Sequence, residues 1–296
     1  FLMNEKYDMK KIAIQGVPGS FHDIAAHKFF PNEEIQLICC DTFEEIFEHM
    51  HQDSNVIGML AIENTIAGSL LPNHNMLKES GLTILGETKL RIEHNLVAMP
   101  GQKISDIIEV LSHPMALMQC EDFLSKYPNL KAVEAEDTAA SAKYIAENKI
   151  MGKAAICSKL AAEIYGLEIL AEGIETNKRN FTRFLIVADP WTAEDYMKDK
   201  TIDKASLVFT LPHDEGALAK VLSVLWFYHI NLTKIQSLPI VGREWEYQFY
   251  INLTFSNYLS YSQAMDAIRP FTKDLRVLGE YEAYRENPVK SSTRNF

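Results

Sequence analysis

The stretch Asn180 to Phe184, which reads Asn-Phe-Thr-Arg-Phe, combines an amide, a hydroxyl and a guanidinium within five positions. Arg183 is one of three arginines in the first 190 residues, so a side chain that can hold a carboxylate through two parallel hydrogen bonds is scarce here. Thr182 adds a hydroxyl at the neighbouring position. The apolar run Leu185 to Val187 predicts a buried strand, which puts the polar stretch where a loop enters a sheet, a frequent place for ligand-binding residues in open α/β folds. The alternative is a polar loop that only caps the strand.

A second polar stretch, Gly16 to Phe21, follows a predicted strand at Lys11 to Ile14 and precedes a predicted helix. In this arrangement, backbone N–H groups and Ser20 lie at the positive N-terminal end of a helix, where an anion can bind. It is not the dinucleotide-binding fingerprint, because Pro18 stands where the second glycine is required. A tight turn without a ligand is the alternative.

A third stretch begins at Glu63 and Asn64, directly after the apolar run Val56 to Ile62. The run predicts a strand buried in a parallel sheet, so the carboxylate and the amide are expected at its end, in a ligand-binding crevice. The alternative is that Glu63 and Asn64 cap a helix that begins near Ser69.

A fourth stretch, Ser112 to Pro114, precedes a predicted helix that carries Gln119 in its first turns. Pro114 fits the first helical turn, with Ser112 or His113 near the N-cap. The alternative role of His113 is to orient this turn.

The composition argues against several classes of protein. The chain has 296 residues, a formal net charge of −11 and no basic stripe, so nucleic acid is not an expected partner. Its four cysteines are scattered without a CxxC pair, which favours reduced thiols in the cytoplasm over disulfides or a zinc ribbon. No apolar run is long enough to span a bilayer, and the charged N-terminal residues, with Met3 or Met9 as the natural start, are not typical of a signal peptide. We therefore expect a cytoplasmic protein of two or three domains without a membrane partner.

Alternating strands and helices up to residue 190 predict an α/β domain with a mostly parallel sheet. Residues 191–203 are charged, lack periodicity and are interpreted as a linker. Residues 204–285 then follow the order βαββαβ, which is typical of a ferredoxin-like fold. A flexible tail is expected over 286–296.

The polar stretches occur in the order found in prephenate dehydratase, and residues 11–285 resemble that family nearly end to end. The matching stretches are Gly16 to Phe21, Ile62 to Thr65 with Gly68, Ser112 to Pro114 with Gln119 and Cys120, Asp137 to Ala139, and Asn180 to Phe184. The family removes water and carbon dioxide from prephenate and forms phenylpyruvate on the way to phenylalanine. His22 is a departure, because many relatives have serine or another small polar residue at this position.

The resemblance implies a catalytic domain over residues 9–190, with two α/β lobes arranged as in a type II periplasmic binding protein and the site in the cleft. The chain is expected to cross between the lobes near 89–94 and again near 168–174. No metal or organic cofactor is implied, because the leaving carboxylate supplies the electrons. The resemblance assigns catalysis to Thr182, Glu63, Asn64 and Gln119, and substrate binding to Arg183, Ser20, Phe184, Ser112, His113 and Thr65. Glu63 can be a general acid only if desolvation keeps its carboxyl protonated, whereas Thr182 can only donate a hydrogen bond to the departing hydroxyl.

Residues 204–285 resemble the ACT domain that binds phenylalanine in this family, which implies a homodimer or homotetramer with phenylalanine as effector. The expected effector-binding residues are Gly216, Ala217, Leu218, Asn231, Gln236, Ser237, Leu238 and Pro239. Relatives have Glu-Ser-Arg-Pro where this chain has Gln236 to Pro239, so both charged residues are replaced. We expect phenylalanine binding to be retained with altered affinity.

Three other functions are compatible with parts of this pattern. An arogenate dehydratase would use the same fold and chemistry on a substrate with an amino acid side chain. A non-catalytic solute-binding module with an amino-acid sensor predicts replacement of the acid and the hydroxyl, yet Glu63 and Thr182 are both present. An ACT-linked transcription regulator would need a helix-turn-helix and a basic surface, and neither is evident in the sequence.

Overall fold

The computed structural model describes residues 9–240 and 246–286, which fall into two compact units. Of the described residues, the first unit contains 9–83 and 88–195, and the second contains 84–87, 196–240 and 246–286. Trp245, which the sequence places in a strand, and the predicted tail beyond Glu286 lie outside the described residues.

The first part of the chain alternates strands and helices, as its apolar periodicity predicts. Its strands are β1 (Lys10–Gln15), β2 (Ile35–Cys40), β3 (Ile57–Asn64), β4 (Gly68–Ser69), β5 (Thr83–Arg91), β6 (Asn95–Ala98), β7 (Glu109–Ser112), β8 (Lys131–Glu134), β9 (Lys153–Cys157), β10 (Glu168–Ala171) and β11 (Phe181–Ala188). Its helices are α1 (Phe21–Phe29), α2 (Phe43–Gln52), α3 (Leu71–Ser80), α4 (Pro114–Gln119), α5 (Glu121–Leu124), α6 (Thr138–Glu147), α7 (Lys159–Tyr165) and α8 (Pro190–Met197), with a 3₁₀ turn at Ile104–Asp106.

These strands form two sheets with the same topology, which confirms the two-lobed α/β fold. The order is β2-β1-β3-β11-β5 in one sheet, with β4 paired to β3, and β8-β7-β9-β6-β10 in the other. In each sheet the fourth strand, β11 or β6, is the one that the chain enters after a crossing. The fourth strand runs antiparallel to the third, whereas the first three are parallel.

Four of the five strands of the second sheet run in one direction, so the predicted mostly parallel arrangement is confirmed there, and the strand that follows each crossing is the reversed one. The first crossing agrees with the prediction, since β5 ends at Arg91 in one sheet and β6 begins at Asn95 in the other. The second crossing, predicted near 168–174, lies between Ala171 and Phe181, because Glu168 to Ala171 form strand β10 of the second sheet.

Strand β3 includes Glu63 and Asn64, which the sequence places directly after an apolar strand that ends at Ile62. These two residues pair with Arg183 and Thr182 of β11. They do not cap α3, because its N-cap is Leu70 and no side chain caps it. The polar residues therefore belong to two adjacent strands, which fixes the directions of their side chains.

The glycine turn before α1 packs closely against the second lobe. Gly19 has φ +87°, and a Cβ at this position would lie 2.6 Å from the Cα of Ala161 in α7. The Ser158 hydroxyl also donates a hydrogen bond to the Gly19 carbonyl at 2.6 Å. Glycine is thus required both by the left-handed conformation and by the close approach, and the turn places Ser20 at the N-cap of α1.

The second unit has the predicted order βαββαβ. Its elements are β12 (Lys204–Thr210), α9 (Ala217–Phe227), β13 (Asn231–Pro239), β14 (Tyr247–Thr254), α10 (Tyr258–Ile268) and β15 (Lys273–Tyr281), with a 3₁₀ turn at Arg269–Phe271. The sheet order β13-β14-β12-β15 confirms the ferredoxin-like topology. In its core the Phe255 and Tyr261 rings stack with their centroids 4.2 Å apart.

The predicted linker is wrong over its first half, where the structure has helix α8. Asp189 accepts a hydrogen bond from the Trp191 backbone N–H at 3.0 Å, which supports the first turn. Ala193 and Met197 are buried at helical spacing. The charged residues between them hide this short apolar face from a search for periodicity. Among the described residues, no helix is long and apolar enough to cross a membrane.

Candidate active site

A cavity of about 450 Å³ in the first unit is the candidate active site. Its volume lies in the range of roughly 300–1,000 Å³ that is usual for small-molecule sites. The wall draws on both lobes and contains six of the predicted site residues, Ser20, Asn64, His113, Gln119, Thr182 and Phe184.

A chain of amide hydrogen bonds connects the two lobes at the wall of this cavity. The backbone N–H groups of Ile66 and Ala67 donate to Asn64 Oδ1, each at 2.9 Å. Asn64 Nδ2 donates to Asn180 Oδ1 at 2.8 Å, and Asn180 Nδ2 donates to Gln119 Oε1 at 2.8 Å. Because backbone N–H groups can only donate, they fix the orientation of the first amide, and each amide then fixes the next.

The same chain orients Thr182. Asn64 Nδ2 lies 3.0 Å from Thr182 Oγ1, and the threonine is nine-tenths buried in the cavity wall. The amide nitrogen Asn64 Nδ2 can donate hydrogen bonds but cannot accept them, so the threonine oxygen is the acceptor in this contact. The hydroxyl hydrogen of Thr182 therefore remains available to donate to a group in the cavity.

Glu63 and Arg183 do not line the cavity, although the sequence assigns them to catalysis and substrate binding. Arg183 Nε donates to Glu63 Oε1 at 2.9 Å. Neighbouring residues of a strand point to opposite faces, so the residues next to Asn64 and Thr182 lie on the other side of the sheet. The Glu63 carboxylate and the Arg183 guanidinium therefore pair with each other, and neither contributes to the cavity wall.

Two other predicted substrate-binding residues also lie outside the cavity wall. Ser112 is fully buried, and its hydroxyl donates to the Ile156 carbonyl at 2.7 Å. The Thr65 hydroxyl donates to the Arg179 carbonyl at 2.8 Å and accepts from the Phe181 N–H at 2.9 Å. Both hydroxyls therefore brace the backbone next to the site.

The cavity wall has an unusual charge distribution. The N-cap residues of five helices line it, namely Ser20 (α1), Thr42 (α2), Leu70 (α3), His113 (α4) and Asp137 (α6). Each helix N-terminus carries a partial positive charge of about half an elementary charge. The wall also contains four carboxylates, Asp41, Glu44, Glu136 and Asp137, and no lysine or arginine among the described residues. Burial raises the pKa of Asp137, whose carboxylate also accepts backbone N–H groups at the start of α6.

Two histidines of the wall are held by backbone groups. His22, the departure noted in the sequence, accepts a hydrogen bond at Nε2 from the Ala61 N–H at 3.3 Å, and its ring lies 5.0 Å from that of Phe184. Burial lowers the pKa of His22 to about 3, so this side chain is neutral near pH 7. His113 Nδ1 accepts from the Met115 N–H at 3.2 Å, as expected of a residue that orients the turn.

Sequence reasoning gives no role to Asn180 and His94, yet both lie in the hydrogen-bonded network. Each ends a crossing, since Asn180 precedes β11 and His94 precedes β6. His94 lies at the end of the first predicted crossing, so its position there is a signal that the sequence contained. Among the described residues, no group of three or more His, Cys, Asp or Glu side chains is arranged to hold a metal ion.

The second unit contains a separate cavity of about 240 Å³. Among the predicted effector residues, only Ala217 lies in its described wall, together with Asp214, Lys220 and Lys273. The others occupy the start of α9 and strand β13, where Gln236 is half-buried and Leu238 is buried. Asn231, Ser237 and Pro239 are exposed on β13.

Comparison with known proteins identifies relatives of the chain. The family described as prephenate dehydratase matches residues 12–191. Arogenate dehydratase 5, chloroplastic, from Arabidopsis thaliana is 39% identical over 290 residues, covering 92% of this chain and 67% of that protein. The crystal structure of prephenate dehydratase in complex with L-Phe from Arthrobacter aurescens is 29% identical, with a TM-score of 0.80 and coverage of 92% of this chain and 89% of that one. A structure described as GqqA, a novel type of quorum quenching acylase, is 30% identical, with a TM-score of 0.80 and coverage of 93% and 98%.

The position of Glu63 leads to a prediction about stability. Glu63→Gln removes the charge that faces Arg183, so we expect the free energy of unfolding to fall by roughly 0.5–1.5 kcal/mol with kcat changed only a few-fold. Chemical denaturation and steady-state kinetics measure the two effects, with the exposed Glu48→Gln as the matched control. A loss of kcat of about 100-fold or more at unchanged stability would instead support a general acid at this position.

Proposed function

Because the chain belongs to the prephenate dehydratase family, we propose that it catalyses the decarboxylating dehydration of prephenate to phenylpyruvate in phenylalanine biosynthesis. The observation that supports this most directly is the Thr182 hydroxyl, which accepts from Asn64 and is left with its hydrogen available toward the cavity. The proposal makes the enzyme a carbon–oxygen lyase.

The reaction needs little from the protein besides orientation and hydrogen bonding. When the ring carboxylate leaves as carbon dioxide, its bonding electrons enter the ring, and the hydroxyl leaves from the opposite carbon. Hydroxide is a poor leaving group, so a donor aimed at its oxygen lowers the barrier. Thr182 supplies such a donor, and its bond from Asn64 polarises the hydroxyl further. Gln119 and Asn180 keep the amide of Asn64 in place.

Helix N-termini take the place of arginine in holding the carboxylates of the substrate. The five N-cap residues of the wall bring positive helix ends to one cavity, and anions bind favourably at such ends. Ser20 at the start of α1 is the contact that the sequence predicts. His113 and Phe184 are proposed to contact the substrate from the wall, whereas Arg183 pairs with Glu63 behind the sheet.

Arogenate is the second candidate substrate, and one observation favours it. Arogenate has an ammonium group in place of the keto oxygen, and three exposed carboxylates, Asp41, Glu44 and Glu136, line the cavity without a lysine or arginine among the described wall residues. The curated relative from Arabidopsis thaliana is named an arogenate dehydratase. These carboxylates would attract the ammonium group, which prephenate lacks.

Turnover of the two substrates by the purified protein tests the proposal. Formation of phenylpyruvate from prephenate, with kcat/KM above that for formation of phenylalanine from arogenate, is the expected result. A higher kcat/KM for arogenate would establish the second candidate. Turnover of neither substrate by folded protein would contradict both.

Phenylalanine is the proposed effector, bound by an ACT domain in the second unit. A free amino acid carries an ammonium and a carboxylate, and the cavity that contains Ala217 presents Asp214 beside Lys220 and Lys273. The structural relative from Arthrobacter aurescens is described in complex with L-Phe. Replacement of two charged residues by Gln236 and Leu238 is compatible with binding, since Leu238 is buried and other charges line the cavity. A homodimer or homotetramer in the cytoplasm completes the proposal.

The role of Thr182 yields a prediction with a conservative control. Thr182→Ala removes the hydroxyl, so kcat should fall on the order of 10²–10³ while the substrate still binds. Thr182→Ser keeps the hydroxyl and should retain most of the turnover. Steady-state kinetics and calorimetric binding measure both effects, and an alanine variant with normal kcat would refute this role.

The effector site yields a prediction about affinity. Calorimetry should detect phenylalanine binding to the whole protein, accompanied by inhibition of turnover. Lys220→Gln should weaken binding by about tenfold or more, because a charge-assisted hydrogen bond to the carboxylate is lost. Lys198→Gln, at an exposed lysine outside this cavity, is the matched control. Absence of binding at millimolar phenylalanine would show that the second unit is a dimerisation scaffold or senses another ligand.

A further inference from the structure

His22 on α1 is a buried polar side chain of the cavity wall, with an exposed fraction of 8%. Its ring contacts an irregular part of β3, where the register with β11 shifts by one residue and Ile62 forms a β-bulge. Side chains bind both backbone groups of Ala61 next to this bulge. The Ala61 carbonyl accepts from Asn73 Nδ2 at 2.7 Å, and the Ala61 N–H donates to His22 Nε2 at 3.3 Å. The bulge therefore accounts for the position of the His22 ring.

The Ala61 N–H also determines which nitrogen of His22 carries the hydrogen. A backbone N–H can only donate, so Nε2 must accept with its lone pair. Burial lowers the pKa of His22 to about 3, so the ring is neutral near pH 7. In a neutral ring whose Nε2 is an acceptor, Nδ1 carries the single hydrogen and is a donor.

The Nδ1 atom of His22 is accessible and has no partner in the protein. Among the described residues, the enclosed side-chain nitrogens and oxygens without a hydrogen-bond partner are Asp23 Oδ1, His94 Nδ1 and Tyr261 OH. His22 Nδ1 is not one of these enclosed atoms, and the contact with Ala61 is the hydrogen bond that the ring makes. Because His22 lines the cavity, the Nδ1–H is available to a ligand there.

Other donors belong to the same turn of α1. The Ser20 hydroxyl accepts from the Asp23 N–H at 3.3 Å, which leaves its own hydrogen available. The Ile24 N–H donates to the Ser20 carbonyl, whereas no described group accepts from the N–H groups of Phe21 and His22. Ser20, Phe21 and His22 all line the cavity. The start of α1 thus combines a hydroxyl, two backbone N–H groups and an imidazole N–H at the positive end of a helix.

Two carboxylates lie next to this turn, and each has partners of its own. Asp23 Oδ2 accepts from the Gly19 N–H at 2.7 Å, and Asp23 Oδ1 lies 2.7 Å from His27 Nδ1. Asp137 Oδ2 would lie 3.1 Å from a Cβ at Gly16, in the turn that precedes α1. Burial raises the pKa of Asp137, and its carboxylate accepts backbone N–H groups at the positive end of α6. Both charges are therefore compensated away from the His22 ring.

We propose that His22 is a substrate-binding residue whose Nδ1–H, together with the Ser20 hydroxyl, holds a carboxylate of the substrate at the start of α1. The proposal rests on the proposed function, and it applies to prephenate and arogenate alike, because both carry carboxylates. A carboxylate offers only acceptors and a negative charge, which match a group of donors at a positive helix end. The position at which this chain departs from its relatives thereby acquires a role in binding.

Two substitutions separate the donor at Nδ1 from the acceptor at Nε2. Glutamine can present its side-chain oxygen to the Ala61 N–H but has no group at the Nδ1 position, so His22→Gln should keep the Tm of the wild type. Its KM should rise roughly tenfold or more with kcat little changed, because a hydrogen bond to a charged group is lost in the ground state and the transition state alike. Asparagine places its amide N–H near the Nδ1 position but is too short to reach Ala61. His22→Asn should therefore keep KM close to that of the wild type and lower the Tm.

Steady-state kinetics and thermal denaturation measure both effects. His51→Gln, at an exposed histidine on α2, is the matched control and should behave as the wild type. A purely structural His22 predicts the reverse, with an unchanged KM in His22→Gln, and this result would overturn the proposal. A KM raised equally in both variants would also overturn it. Turnover of neither substrate by the wild type would instead count against the proposed function, so the two failures are distinguishable.

Nitrogen-15 and proton chemical shifts of histidine-labelled protein provide a second test that does not depend on turnover. The His22 signals, identified by their loss in His22→Gln, should show a protonated Nδ1 and an unprotonated Nε2. In Thr182→Ala saturated with prephenate, the hydrogen on Nδ1 should move downfield as it enters a hydrogen bond with the carboxylate. An unprotonated Nδ1, or an unchanged signal at saturation, would refute the role of His22.

Discussion

The geometry of the site depends on two hydrogen bonds, those from the backbone N–H groups of Ile66 and Ala67 to Asn64 Oδ1. A backbone amide cannot reverse its polarity, so this contact gives the Asn64 side chain a single orientation. The orientation then passes through Asn180 to Gln119, which stands in the other lobe. One backbone turn thereby decides which atoms at the cavity wall donate and which accept.

The second constraint is electrostatic. Five helix N-termini surround a cavity whose described wall lacks lysine and arginine. Backbone dipoles are fixed in direction and cost no side-chain entropy when a ligand arrives, whereas a long cationic side chain must be ordered. The pairing of Arg183 with Glu63 on the far face of the sheet keeps the scarce guanidinium out of the cavity, which is consistent with anion binding by helix N-termini instead of cationic side chains. Selectivity between a keto and an ammonium group is then left to the exposed carboxylates of the wall.

The sequence predicted the type of fold better than the directions of side chains. The strand predicted at Lys11 to Ile14 is found within β1, and the βαββαβ order of the second unit is confirmed. The polar motif around Thr182 was interpreted as a loop, so the alternation of a strand was not applied to Thr182 and Arg183. The direction of each strand within its sheet could not be predicted from the sequence, because it depends on where the chain returns after a crossing and not on local periodicity. His94 was missed because its partners, Gln119 and Glu175, are distant in sequence.

The central claim is that the amide chain fixes the hydrogen positions at the cavity wall, and the tautomer of His94 reports on it most directly. Nitrogen-15 chemical shifts of histidine-labelled protein without substrate, with the His94 signals identified by their loss in a His94→Gln sample, measure this tautomer. The account predicts a protonated Nε2 and an unprotonated Nδ1 at neutral pH, because Gln119 Oε1 can only accept. A hydrogen on Nδ1 with an unprotonated Nε2 would contradict it, since Gln119 and the amides behind it would then have to point the other way.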